Sequence, residues 1–135
     1  MSQPWLSAAN KARLLEWKIR MDLVMYASRR SPKIRLEDIR SYTPKQPSDG
    51  WDKIEDRVCQ VIDDGHAPKL IRALAHGQQI CRPYEEREEF RVKGDDWLKM
   101  GHMAIDSVED AKGALWIRSA GFEEAWEGVP LRAQL

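Results

Sequence analysis

The first thirty residues carry an apolar stripe at helical spacing. Ala8, Ala12, Leu15, Ile19, Leu23 and Tyr26 recur at intervals of 4, 3, 4, 4 and 3, which puts them on one face of a helix. Leu14, Trp17, Met21, Val24 and Met25 widen the stripe beyond that of a simple surface helix, so this helix is either central to a core or shared with a partner. Ser7 can cap its start, Glu16 stands four residues before Arg20, and Pro32 disfavours helix in the residue before it. Together these predict a helix over 8–29.

Residues 30–50 lose the pattern. Pro32, Pro44, Pro47 and Gly50 predict a connector, with a short helical piece at 35–40. The stripe resumes with Trp51, Ile54, Val58 and Val61, which predict a helix over 50–64 capped by Ser48 or Asp49 and stopped by Gly65. Pro68 suits the first turn of a helix over 67–76 with Leu70, Ile71 and Leu74 inward, and Gly77 marks its end. Pro83 opens a helix over 83–93, where Glu85, Glu86, Glu88 and Glu89 favour the positive end of the dipole. Asp95 caps a helix over 96–104, with Trp97, Met100, Gly101 and Ala104 on one face. Ser107, with Asp110 three residues on, opens the last helix, 108–119, which Val108, Ala111 and Leu115 line and which extends towards Phe122, Ala125 and Trp126. Alternation is confined to Phe90-Arg91-Val92. The expected fold is all-α, one compact multi-helix domain over 1–135, with a connector at 30–50 and a helical body over 51–128.

Composition supports one core: 42% of the 135 residues are apolar and six are Trp. No apolar run approaches the roughly 20 residues that span a bilayer. The N-terminal residues lack a basic stretch followed by an apolar one, so no secretory leader is expected and a cytoplasmic location is. Cys59 and Cys81 suit a reducing compartment. Net charge is zero but uneven: residues 1–49 hold ten Lys/Arg against five Asp/Glu, and residues 50–135 hold twelve against seventeen. A basic N-terminal part suits phosphates or an acidic protein.

Catalytic chemistry has little purchase on this pattern. His66, His76 and His102 form no motif with a nucleophile. Cys59, His66, His76 and Cys81 are separated by 7, 10 and 5, unlike the paired spacing of zinc modules. Gly65, Gly77, Gly94 and Gly101 are isolated, so no phosphate-binding loop is formed. No catalytic residue, metal or cofactor is expected.

The stretch 95–120 reads as helix, polar turn at Ile105-Asp106-Ser107, and second helix, the layout of a helix-turn-helix. With Trp5, Leu15 and Trp17 in an N-terminal helix, Trp51-Asp52-Lys53-Ile54-Glu55-Asp56 in a middle one, and Leu70-Ile71-Arg72-Ala73-Leu74 after it, the order of parts resembles small phage late-gene regulators. These include Q-type antiterminators and RinA- or ArpU-like activators with a sigma-like reading end. The resemblance implies a transcription regulator contacting DNA or RNA polymerase. Lys99, Ser107, Lys112 and Arg118 would lie on the reading helices, and Arg29, Arg30, Lys33, Arg35 and Arg40 would hold phosphates. The alternative is a non-catalytic inhibitor or adaptor, gripping a protein partner or a second copy through helix 1, with Trp5 and Trp17 as anchors. Neither reading involves a membrane.

Overall fold

The computed structural model describes residues 4–110 and 119–128. Within them lie five α-helices: α1 (Ala8–Ala27), α2 (Leu36–Arg40), α3 (Trp51–Val58), α4 (His66–Cys81) and α5 (Asp96–Val108). Single 3₁₀ turns occupy Arg82–Tyr84 and Glu123–Trp126. The described residues contain no strand, and the all-α expectation holds. The chain forms two compact units, one of residues 1–34 with 116–135, the other of residues 35–115.

In the first unit Ser7 caps α1 as expected, its Oγ accepting from the Asn10 amide at 3.3 Å. The Glu16–Arg20 and Lys18–Asp22 pairs lie along the helix. α1 ends at Ala27, two residues before the expected limit, because Arg30 and Ser31 take positive φ (63° and 44°) and turn the chain. The Tyr26 hydroxyl donates to the Pro32 carbonyl at 2.6 Å and fixes that turn. No residue of α1 is buried. Its wide apolar face, from Leu14 to Met25, is largely exposed.

The second unit has a true core. Ile54 and Val58 of α3, Ala67 and Ile71 of α4, and Ile105 and Val108 of α5 are buried together. Several expectations fail here, where tertiary packing overrides a local cue. Gly77 does not end α4, which runs on to Cys81. Its missing side chain instead admits the Trp97 indole, which a Cβ there would meet at 2.6 Å. The helix expected over 83–93 is only the 3₁₀ turn Arg82–Tyr84 followed by turns, because the Glu85 carboxylate accepts from the Gly94 amide and the Trp97 Nε1.

The turn expected at Ile105-Asp106-Ser107 is continuous α5. Ile105 is fully buried and Asp106 nearly so, which holds the last turn in place. Ser107 therefore caps no second helix; its hydroxyl donates back to the Ala104 carbonyl at 2.7 Å. The chain turns only at Glu109 and Asp110, past the expected position, and the expected reading helix falls mostly on 111–118, outside the described residues. α3 is also shorter than expected. It starts from Gly50 rather than Ser48 or Asp49, and it stops at Val58. Asp63 then caps α4 by accepting from the Gly65 and Ala67 amides.

Trp51 packs on Gly101 as Trp97 packs on Gly77; a Cβ at Gly101 would lie 2.6 Å from the Trp51 ring. Gly101→Ala is expected to destabilise the protein by about 1–3 kcal/mol, as overpacking does, while Gly121→Ala, with open space around it, leaves stability within about 0.5 kcal/mol. Urea unfolding of the two variants checks this; equal midpoints would contradict it.

Candidate functional site

The second unit is held by one buried acid and its donors. The Asp106 side chain, 2% exposed, accepts from Arg57 Nη2 at 2.6 Å, the Tyr42 hydroxyl at 2.8 Å and the Lys45 amide at 3.0 Å. Arg57 spreads its remaining donors over Glu109 at 2.7 and 2.8 Å and Asp49 at 3.1 Å. Burial pushes the Asp106 carboxyl up, but the Lys45 amide, the Arg57 guanidinium and the Tyr42 hydroxyl outweigh it and hold the group below the usual carboxylate range. Burial also lowers the Arg57 pKa, and the surrounding carboxylates more than reverse this. Burial and the neighbouring Asp106 push the Tyr42 phenol up. A second acid, Asp96, is held down chiefly by its hydrogen bonds from Arg40, against burial, and accepts the Lys93 amide as well.

Two cavities flank the start of α5. The larger, about 750 Å³, is walled by Trp51, Gln78, Arg82, Glu85 and Gly94. Two of the side chains that wall it are tied to each other: Trp51 Nε1 donates to Gln78 Oε1 at 2.7 Å, and Gln78 Nε2 donates to the Gly94 carbonyl at 3.3 Å. The smaller, about 320 Å³, lies between the proline-containing segment after α2 and α5, walled by Tyr42, Pro44, Pro47, Leu98, Lys99 and His102. Asp95 stands at both. His102 is 2% exposed, and its Nδ1 is the one buried side-chain nitrogen or oxygen among the described residues without a hydrogen-bond partner.

The residues expected to hold nucleic acid are dispersed. In the first unit Arg29 bonds Ser28, Arg30 pairs with Glu123 at 2.8 Å, and Lys33 is exposed. In the second, Arg35 pairs with Asp38 at 3.0 Å and Arg40 with Asp96 at 3.1 Å. Lys99 reaches the Arg40 carbonyl, which brings those two together. Lys112 and Arg118 lie outside the described residues. Trp5 and Trp17 are 76% and 62% exposed. Cys59 and Cys81 carry free thiols, and the described residues contain no cluster of three or more His, Cys, Asp or Glu able to hold a metal ion. His66 pairs with Asp64 at the start of α4. No helix among the described residues is long and apolar enough to cross a membrane.

From the sequence His102 reads as an isolated histidine and Asp106 as a turn residue, and Arg57 is not singled out. His102 was detectable, since it stands four residues after Leu98 and three before Ile105 on the stripe that faces inward. The Arg57–Asp106 pair spans 49 residues and leaves no local signature.

Comparison with known proteins gives a consistent picture. A family model described as questin oxidase-like matches residues 1–74. The chain is 44% identical to the questin oxidase of Aspergillus fumigatus over 96% of its own length and 30% of that protein's. It is 38% identical to the Baeyer-Villiger oxidase ptaJ of Pestalotiopsis fici, with the same shares covered. It is 43% identical to the oxidoreductase AflY of Aspergillus parasiticus over 87% of this chain and 24% of that one. The chain thus spans about three tenths or less of the length of these relatives. No solved structure matches it.

These matches correct the expected function. The resemblance to phage late-gene regulators gives way to a match with proteins named as oxidases, and with it go transcription regulation, DNA binding and antitermination. The non-catalytic inhibitor or adaptor, and the expectation that no enzyme is involved, are overturned by the same names. The order of helices misled because a short helix, a polar break and a further helix is common to many helical folds.

The depressed carboxyls set the response to acid. Asp106 and Asp96 have folded pKa values below their unfolded ones, so the stability they contribute is fully present above about pH 4 and is lost as pH falls through the lower folded values. Asp106→Asn is expected to lower stability at pH 7 and to flatten the dependence of stability on pH below about 4. Arg57→Met, which strands a buried carboxylate, is expected to cost about 3 kcal/mol at pH 7. Urea titrations at several pH values check both; an unchanged acid slope in Asp106→Asn would remove this account.

Proposed function

The chain belongs to the questin oxidase-like family, and we propose on that ground that it is a helical part of an oxidoreductase that inserts an oxygen atom beside the carbonyl of a ketone. The single observation carrying this reading is its identity of 38–44% to proteins named questin oxidase and Baeyer-Villiger oxidase, across 96% of the chain. In a Baeyer–Villiger conversion, ketone, dioxygen, two electrons and two protons give an ester or lactone and water. One carbon–carbon bond next to the carbonyl breaks, and two carbon–oxygen bonds replace it at the inserted atom. The described residues contribute shape and hydrogen bonding to such a site. The cytoplasm as the place of action is part of the proposal, supported by the two free thiols.

α1 supports the view that the chain works within a larger helical body. Trp17, Met21, Leu23 and Val24 are each more than half exposed, and a contiguous apolar face of this kind marks an interaction site. Its occupant in this reading is the part of the family fold outside the three tenths that the chain spans, whether on the same polypeptide or a separate one. The remaining part of the Aspergillus fumigatus relative, supplied as a separate polypeptide, is expected to co-elute with the 135-residue chain and to shield Trp17 from acrylamide. Leu23→Glu should abolish both effects. Pairing of the chain with itself alone would contradict this occupant.

The reaction is tested on the intact gene product, supplied with a cyclic ketone, a reductant and ¹⁸O₂. The expected product is a lactone carrying one ¹⁸O atom in its ring, identified by mass spectrometry. A product reduced to the alcohol, or a lactone whose added oxygen comes from water, would overturn the reading.

A further inference from the structure

The outer face of α4 carries an apolar seam of its own. Ala67 and Ile71 of this helix are buried towards α3 and α5. On the other side Leu70, Ala73, Gly77 and Ile80 follow at intervals of 3, 4 and 3, the repeat by which one helix lays a narrow seam on another. Leu70 is 39% and Ile80 53% exposed, and Ala73 is exposed as well. The gap at Gly77 is filled by the Trp97 indole, so the seam is apolar along its length.

One edge of the seam is basic and unanswered. Lys69 and Arg72 lie along it at helical spacing, both exposed, and no acid occurs between residues 65 and 84. Neither has an ion-pair partner among the described residues. In the same unit Arg35, Arg40, Lys45, Lys53 and Arg57 each meet a carboxylate. Lys69 and Arg72 also fall in the first two turns of α4, at the positive end of the helix dipole, where cations are disfavoured. The two acids just before the helix are engaged. Asp63 accepts from the Gly65 and Ala67 amides, and Asp64 pairs with His66.

We infer that this face of α4 docks a helix of a partner protein, apolar along its contact edge and acidic beside it. The partner's apolar side chains lie along Leu70, Ala73 and Ile80, and its Asp or Glu side chains answer Lys69 and Arg72. An antiparallel approach suits both dipoles, since the negative end of the partner helix then lies at the two cations. A second α4 is a poorer occupant, because residues 65–84 of neither copy supply an acid. A lipid surface calls for a broader apolar face than this single seam. Past the helix the charge reverses, with Glu86, Glu88 and Glu89 exposed, so the partner's acids belong beside the first half of α4. The inference rests on α4 and its charges. It is independent of the oxidoreductase reading and of what covers α1.

The probe is a fluorescein-labelled three-heptad peptide with Leu at a and d and Glu at e and g, whose own like charges oppose self-pairing. Anisotropy titration with the 135-residue chain is expected to show saturable binding that weakens as salt rises. The same peptide with Lys for Glu should bind about tenfold more weakly. The double variant Lys69→Glu/Arg72→Glu should reverse that order, and Ile80→Glu should abolish binding of both peptides. These side chains are exposed, and circular dichroism checks that the fold is kept. If Ile80→Glu unfolds, Leu70→Glu reads the same loss. Absence of saturable binding by the Glu peptide, or an unchanged preference for it in the folded double variant, would overturn the inference. Loss of binding in Leu23→Glu but not in Ile80→Glu would do the same, by moving the peptide to α1. So would self-association, or binding to phosphatidylglycerol vesicles, that Ile80→Glu removes, since the face would then belong to a second copy or to lipid.

Discussion

The second unit depends on a carboxylate where water cannot reach it. Asp106 lies on the inward face of α5, and an ionised acid in that position is tolerable only if every lone pair is used. The sequence supplies an arginine from α3, a tyrosine hydroxyl and a backbone amide from the segment after α2. Three stretches far apart in the chain are thereby brought to one point. Apolar packing of Ile54, Ile71 and Ile105 gives the body its mass. The carboxylate selects one arrangement of these elements, because any other leaves a buried charge unpaired.

Much of the fold was legible because apolar spacing is a local property. α1, α3, α4 and α5 each follow from a stripe visible in the sequence. Their ends were less legible. Gly77 looks like a helix stop, yet it is a seat for Trp97; Ser107 looks like a helix start, yet it closes α5. The same residue types serve both purposes, and only a partner distant in sequence decides between them. The run Glu85 to Glu89 suits the opening of a helix, but Glu85 is drawn off to Gly94 and Trp97.

The site was less visible than the fold for a related reason. Catalytic motifs are recognised when their members are close in sequence or have fixed spacing. Here Tyr42, Lys99 and His102 come together only after α5 has packed against the irregular segment. The functional expectation went astray at the same place. A helix, a polar break and another helix invited a regulatory reading, and similarity over nearly the whole chain to proteins named as oxidases replaced it. The broad apolar face of α1 predicted a helix either central to a core or shared with a partner; the described residues leave that face largely exposed.

The segment from Tyr42 to Pro47 has no regular hydrogen-bond ladder, yet it is not loose. Its tyrosine hydroxyl and its Lys45 amide end on the same oxygen of Asp106, and the Lys45 ammonium returns to the Asp106 carbonyl and to Asp110. One wall of the smaller cavity is thus tethered to a side chain that does not line it. That wall is held by the ionised form of an acid more than sixty residues away in sequence, so shape at the cavity and charge in the core are tied together.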